Sequence, residues 1–285
     1  SFIVGDIRDQ QRCKDAILNF KPTHIILASA LKHVDVCEKS PLESIKTNIL
    51  GIENIVDVVK DNHEKLNNLE TVLMVSTDKA CSPINVYGMC KSIAERIVTS
   101  VSDLGLNINF VAVRYGNVLN SRGSIIPLFK YQSEHKEKIT VTDKRMTRYI
   151  MTLEESVDLI DASMKFGKTG ETWIPELKSM KVIDLAEIFS EISGKPIEII
   201  GMRPGEKIHE DLINDSESLR TRKVEKYLAV SPSYTMPFNE EKDYSMDSSK
   251  SLVTKQELKD YLESLEILNK EISDFVGKNI DEVRK

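Results

Sequence analysis

The apolar run Thr71-Val72-Leu73-Met74-Val75 leads directly into Ser76-Thr77-Asp78-Lys79-Ala80, and Tyr87-Gly88-Met89-Cys90-Lys91 begins eight residues after Lys79. A short continuous apolar run reads as a buried strand, so the polar quintet falls at a strand's carboxyl end and the Tyr-Lys pair in the helix after it. That order confines the chain to α/β architecture. Side chains four apart on a helix share a face, which places the ammonium beside the phenol. A neighbouring cation favours phenolate and draws a tyrosine down from its ordinary pKa of about 10, toward the range of a general base. Tyr-x-x-x-Lys by itself is a weak signal and is mostly accidental. Its place after a buried strand and an acid-amine pair gives it weight.

The rest of the first half repeats the strand-helix alternation of a doubly wound parallel sheet. A helix is predicted over Asp9 to Phe20, a buried strand over His24 to Ala28, and a helix over Pro41 to Lys60 with Leu42, Ile45, Ile49, Ile52 and Val56 as its apolar stripe. Another helix follows from Tyr87 to about Ser102, then a strand over Ile108 to Arg114. Continuous Val and Ile runs favour an all-parallel sheet covered on both faces. Past residue 115 the pattern is irregular, without a long core pattern of its own. Expected there are a helix over Asp184 to Ser193 closed by Gly194, a strand over Ile197 to Ile200, a loosely held arm over Ser231 to Lys250, and a helix opened by a Thr254-x-x-Glu257 capping box. The expected division is 1–115 for nucleotide binding and 116–285 mostly for substrate, ending in a helical extension.

The bulk numbers exclude several classes. A net charge of −6 and a pI near 5.6 argue against nucleic acid, whose binders are basic. Cys13, Cys37, Cys81 and Cys90 show no CxxC spacing, so they read as reduced cytosolic thiols and not as a disulfide frame or metal site. No run of about 18 apolar residues and no signal peptide is present. The chain opens at Ser1 in a strand-like Ser1-Phe2-Ile3-Val4, and it contains no GxGxxG. That fingerprint belongs to the first βα turn of a dinucleotide-binding fold. Two readings follow, a fold that never had the motif or a chain that lacks its amino-terminal βαβ segment.

The stretch STDKACSPINVYGMCKSIAER, Ser76 to Arg96, resembles the signature of nucleotide-sugar 4,6-dehydratases of the extended short-chain dehydrogenase/reductases, nearest to the C5-inverting UDP-N-acetylglucosamine type of polysaccharide biosynthesis. Gly201-Met202-Arg203-Pro204-Gly205-Glu206-Lys207-Ile208-His209-Glu210 matches that family's RPGEKxHE run. Arg114-Tyr115-Gly116-Asn117-Val118 matches its RYGNV. Thr142-Asp143-Lys144-Arg145-Met146-Thr147-Arg148 matches ITDPRMTR with Lys144 for proline. The resemblance implies a Rossmann-like domain with a smaller carboxyl-terminal substrate region. It places Gly5-Asp6-Ile7-Arg8 at the end of a third strand, which implies a chain that lacks its amino-terminal βαβ segment. It also implies a tightly held NADP or NAD that is regenerated each cycle, and a dimer or hexamer. Membrane-bound relatives carry helical spans ahead of this domain, and the sequence shows none, so no membrane partner is expected. The resemblance assigns Asp6, Ile7, Ala28, Ser29, Ala30, Lys32, Asn48, Tyr87, Lys91, Tyr115 and Gly116 to the cofactor. The substrate receives Asn117, Arg122, Thr142, Arg145, Arg148, Arg203 and Glu206, with His209 structural.

For catalysis the resemblance gives Tyr87, paired with Lys91, the O4 proton. Thr77 holds O4, Lys79 takes the C5 proton, and protonated Asp78 donates to the departing C6 hydroxyl. Each assignment has a plainer counterpart: Asp78-Lys79 as a surface ion pair, Asn48 as a polar residue on a solvated helix face, Arg145 and Arg148 as charges on a turn. Two other functions stay open on sequence, a UDP-sugar 4-epimerase or C5-retaining dehydratase on the same scaffold, and a non-catalytic nucleotide-sugar binding protein.

Overall fold

A computed structural model describes residues 2–119, 121, 124–239 and 241–269. The chain forms two compact units: Ser1–Tyr115, Asp158–Glu176 and Asp211–Met246 make the first, and Gly116–Val157, Leu177–Glu210 and Asp247–Lys285 the second. The first crossing lies between Tyr115 and Gly116, and the chain re-enters the first unit twice.

The first unit is built on a six-stranded sheet ordered His24–Leu27, Thr71–Val75, Asn109–Val113, Thr172–Pro175, Tyr227–Val230, Thr221–Val224. The first four strands run parallel. Alternate residues of the central strands point to opposite faces, and both faces are covered. Val72, Met74, Phe110 and Ala112 pack with Ile52, Val56, Val59, Ala94 and Val98. Leu73, Val111 and Val113 pack with Leu159, Trp173 and Tyr227. Two covered faces explain why these strands read as unbroken apolar runs. The architecture is a Rossmann-like doubly wound sheet.

Several expectations need correction. The sheet is mixed: Tyr227–Val230 pairs antiparallel with both Thr172–Pro175 and Thr221–Val224. The charged hairpin Thr221 to Val230 hides this in sequence; Glu225 turns it at φ 53°. No strand forms over residues 2–6, where Phe2 and Val4 are 92% and 72% exposed; a strand requires a neighbouring ladder for its peptide groups, and the described residues provide none there. The predicted helix over Pro41 to Lys60 is helical at Pro41–Ile45 and Gly51–Asn62, with a π-turn at Lys46–Leu50 between them. The wider turn rotates the buried stripe, so Leu42 and Ile45 face solvent while Ser44 and Asn48 are buried.

The second unit does have a core, contrary to expectation. Phe129, on helix Ile125–His135, meets Phe189, on helix Val182–Ser193, edge to face at 6.2 Å. Leu258 and Leu262 of helix Lys255–Ser264 join the same cluster. Gly194 ends the middle helix at φ 71°, a left-handed cap open to glycine without strain, and the Thr254-Glu257 capping box forms as predicted. The short strand Thr147–Met151 lies between Asn117–Val118 and Ser179–Lys181. The segment read as a loose arm is tied at its end: Ser248 is fully buried, shares a 2.6 Å hydrogen bond with Thr147 and accepts the Glu210 N–H. Among the described residues no helix is long and apolar enough to cross a membrane.

Candidate active site

Three neighbouring parallel strands deliver the motif residues. Ala28 to Lys32 follow the strand His24–Leu27, Ser76 to Lys79 follow Thr71–Val75, and Arg114-Tyr115 follow Asn109–Val113. Ligands of open α/β sheets bind outside these carboxyl ends. The sheet itself fixes the polar quintet, because Ser76 N–H donates to Val113 O at 2.7 Å and Asp78 N–H to Tyr115 O at 3.0 Å.

Asp78–Ala80 forms a single 3₁₀ turn with Thr77 as its N-cap. The Thr77 hydroxyl donates to Asp78 Oδ1 at 2.8 Å, and Lys79 Nζ donates to the same oxygen at 3.0 Å. Asp78 is 1% exposed, and its Oδ2 has no hydrogen-bond partner among the described residues. The Ser76 hydroxyl is in the same position. Buried acceptors and hydroxyls are rarely left unmatched, so the pair fits the polar groups of a bound ligand. The surface ion-pair reading of Asp78-Lys79 does not describe a carboxylate buried this deeply.

The helix Val86–Ser100 carries Tyr87 and Lys91 and starts at Asn85, whose side chain accepts the Gly88 N–H at 2.7 Å. Gly88 is the residue that sequence reasoning missed. A Cβ there would lie 2.2 Å from Lys79 O, so glycine is what lets the Tyr87 helix close on the Asp78-Lys79 turn. The signal was available: a glycine inside the first turn of a capped helix costs helix propensity and calls for a packing reason.

The electrostatics correct the simplest version of the Tyr-Lys idea. Burial pushes the Tyr87 phenol up to about 12; the cation that opposes this is Lys79, while Asp78 reinforces it. Lys91 is not the activator in this state. Its ammonium donates to Val75 O at 2.6 Å, and burial draws it down to about 8 against the pull of Glu95.

Asn48 is buried, and its amide brackets Leu31, accepting the Leu31 N–H at 2.8 Å and donating to Leu31 O at 2.9 Å. It therefore fixes the loop after the strand His24–Leu27, where Ala28, Ser29 and Lys32 are exposed and Ala30 half-buried. Asp6 is held by Arg8, whose hydrogen bonds pull its carboxyl down to about 2. Ile7 packs on Gly51, where a Cβ would meet it at 2.7 Å. Tyr115 is half-buried, and burial raises its phenol. A nicotinamide dinucleotide fits this set: an exposed small-residue loop, partnerless buried polar atoms and a buried ammonium, all in one unit at adjacent strand ends.

In the second unit Gly116 runs against Tyr149, leaving 2.4 Å for any Cβ, and Asn117 Oδ1 is buried without a hydrogen-bond partner among the described residues. Thr142 is half-buried and bonds Met146 Sδ. Arg145 is exposed and pairs with Asp143 at 2.7 Å. Arg148 donates to the carbonyl oxygens of Thr147, Lys207 and Ile208, so much of its fork is committed to the protein. Arg203 is exposed, with its N–H on Glu206 at 2.9 Å. His209 bonds the Thr147 hydroxyl. Arg122 lies outside the described residues.

Residues 1–232 match the sequence profile of the family described as polysaccharide biosynthesis protein. An inverting UDP-N-acetylglucosamine 4,6-dehydratase of Campylobacter jejuni is 37% identical over 251 residues, which is 87% of this chain and 72% of that protein. A UDP-glucose 4-epimerase of Rickettsia bellii is 34% identical over 233 residues, covering 80% of this chain and 66% of that one. Among solved structures, Pen from Bacillus thuringiensis matches with a TM-score of 0.83 at 33% identity, covering 93% of this chain and 81% of its own. The dTDP-glucose 4,6-dehydratase DesIV of Streptomyces venezuelae, solved with NAD and TYD, shares the fold at a TM-score of 0.65 and 17% identity, with 73% and 69% covered.

Proposed function

We infer the reaction from one premise: the chain belongs to the polysaccharide biosynthesis protein family. It is an enzyme of nucleotide-sugar chemistry, a dehydratase, and it works with a nicotinamide dinucleotide. We propose UDP-N-acetylglucosamine as substrate and a 4-keto-6-deoxy sugar inverted at C5 as product. One observation carries this reading: a buried carboxylate with one oxygen on Lys79 and the other partnerless, on the turn against which the Tyr87 helix closes.

NADP or NAD, when bound, would accept hydride from C4 and return it to C6. The residues supply the proton movements. Tyr87 takes the O4 proton, and Thr77 holds that oxygen. The ketone at C4 makes the C5 proton acidic, and Lys79 Nζ removes it. As the C6–O bond breaks, the Asp78 carboxyl gives its proton to the leaving hydroxyl, which departs as water. Once C6 has been reduced, C5 regains a proton from the opposite face, with Lys79 as its donor. The elimination needs a neutral amine beside a protonated acid. The 3.0 Å hydrogen bond between them reaches that state from the ion pair by one proton transfer, without a change in net charge. Lys91 and Asn48 orient the cofactor side. Asn117, Thr142, Arg145, Arg203 and Glu206 receive the UDP-sugar, and Arg148 fastens the turn that carries Lys207 and Ile208.

The test is proton NMR of the full-length protein with UDP-N-acetylglucosamine in D₂O. A 4-keto-6-deoxy product with deuterium at C5 and L-arabino configuration is the expected result. A D-xylo product would move the protein to the retaining branch. A bare C4 epimer, or tight nucleotide-sugar binding without turnover, would overturn the dehydratase reading.

A further inference from the structure

A cavity of about 150 Å³ opens within the first unit; Ala80 of the catalytic turn lines it, while Ser76 and Asp78 do not. Its walls include Arg96, Arg114, Arg220, Ser92, Thr99 and Ser231. Arg114, 3% exposed, is neutralised in place. Its guanidinium grips Glu95 at 2.6 and 3.1 Å and both oxygens of Glu217 at 2.9 Å. Arg220 is 8% exposed, yet the one hydrogen bond its side chain makes among the described residues runs from Nη1 to Ser231 O at 2.7 Å. A guanidinium carries five N–H donors, so most of this fork has no acceptor among the described residues. Arg96 is exposed and makes no ion pair among the described residues. Three guanidinium groups thus stand against the two carboxylates that Arg114 already occupies. Burial holds Arg220 below its usual range, and repulsion from Arg96 and Arg114 adds to this against the pull of Glu217. Such a cluster is stabilised by an anion.

We propose that this cavity is a binding site for a small oxyanion of the phosphate class, held by the forks of Arg220 and Arg96 with the hydroxyl of Ser92. Its size is below the about 300–1,000 Å³ of pockets that enclose drug-sized ligands, so it takes a phosphate or phosphoryl head and not a nucleotide sugar. The site is wired to the catalytic turn. Glu95 sits on the helix of Tyr87 and Lys91, about 12 Å from Tyr87 along the axis. Glu217 accepts the Cys81 thiol at 3.3 Å, directly after the Asp78–Ala80 turn. An anion on Arg220 would redistribute the charge that Arg114 shares between Glu95 and Glu217, and so bias both elements that hold the reacting groups.

The test uses inorganic phosphate on the whole protein, read by melting temperature against chloride at matched ionic strength and by ³¹P line broadening. Both readings are taken with and without saturating UDP. A saturable rise that survives UDP and survives Arg203→Ala is expected, because it belongs to this cavity and not to the sugar-diphosphate site. Arg96→Ala, at an exposed position, should weaken the apparent affinity at least tenfold; Arg220→Lys, which keeps the charge and loses the fork, should weaken it more. Methyl phosphate and glycerol phosphate identify the source, since tighter binding of an ester marks a phosphorylated metabolite and tighter binding of phosphate marks the free ion. No saturable effect, an effect abolished by UDP, or one indifferent to both arginine variants would overturn the proposal. None of these readouts depends on dehydratase turnover.

Discussion

The Asp78-Lys79 turn of the first unit, proposed as catalytic, and the arginine turns of the second, proposed to take the substrate, carry equally recognisable motifs, yet they are built in opposite ways. Asp78, Lys91 and Tyr87 are 1%, 3% and 8% exposed and are fixed by backbone hydrogen bonds, a cap and a close glycine contact. Arg145 is exposed and paired to its neighbour Asp143, and Arg203 is exposed on a turn closed by Glu206. Groups that move protons gain from a dry, fixed site, where every electrostatic interaction is stronger. Groups that catch a diphosphate are better left hydrated, with a local carboxylate that the ligand can displace. Arg148 belongs to neither kind, since its donors hold the turn that carries Lys207 and Ile208.

The contrast is broken most directly at the acid-base pair. Asp78→Asn and Lys79→Met should each reduce dehydration by about 10²–10⁴-fold, the usual worth of a positioned acid or base. Lys79→Met should also abolish deuterium entry at C5. If either variant keeps near-normal turnover, the buried turn is structural and the comparison fails. Next in size is a pH effect at Lys91. Its folded pKa of about 8 lies below the unfolded 10.5, so between those values the unfolded chain holds the extra proton and stability rises with pH. Below pH 8 the full cost of burying the charge is present. Relative to Lys91→Met, the wild type should gain about 3 kcal/mol from pH 8 to 10.5 in denaturant titrations. A flat difference would mean that the ammonium is better solvated than its burial implies.

Two glycines sharpen the same comparison. Gly88→Ala drives a Cβ into Lys79 O, a backbone atom, and should cost about 1–3 kcal/mol with a matching loss of activity. Gly201→Ala, at φ 86° with no atom within 4 Å, meets only conformational strain of about 1–2 kcal/mol and should leave turnover intact. Equal activity losses would show that the second turn is as tightly specified as the first.

The same contrast explains what could be read from sequence. The apolar runs at Thr71 to Val75 and Ile108 to Arg114 announced a sheet buried on both faces, and Ser76 to Lys91 announced the turn and helix at its carboxyl end, because buried strands and capped helices write themselves into local pattern. Tyr227–Val230 lies beside Thr172–Pro175, about 50 residues earlier, and no local pattern encodes that antiparallel closure. The π-turn at Lys46–Leu50 was equally hidden, since inserting it only shifts a helical stripe that still looks amphipathic. The second unit's core comes from elements spread over 119–268, so the helices legible at Asp184 to Ser193 and after Thr254 carried no sign that they pack together. Lys91 differs for another reason: spacing places it on the phenol's face, but the Val75 carbonyl that accepts its hydrogen bond belongs to the preceding strand.

The smallest structural effect, and the one that bears most on ligand capture, is expected at Arg145. Its partner Asp143 is held down at about 2 by hydrogen bonds from that one arginine, which is open to solvent while Asp143 is half-buried at the surface. Water screens such a pair, and its removal exposes no buried charge, so Arg145→Ala should leave the melting temperature unchanged. If the guanidinium meets a phosphate oxygen, the variant loses a charge-assisted hydrogen bond in ground and transition state alike. KM should then rise about 10–100-fold while kcat holds. Arg145→Lys should recover only part of this, because an ammonium cannot supply the planar fork. A fall in kcat at constant KM would place Arg145 with the buried acid-base groups instead, and the division between a dry reacting turn and a hydrated capturing turn would not hold.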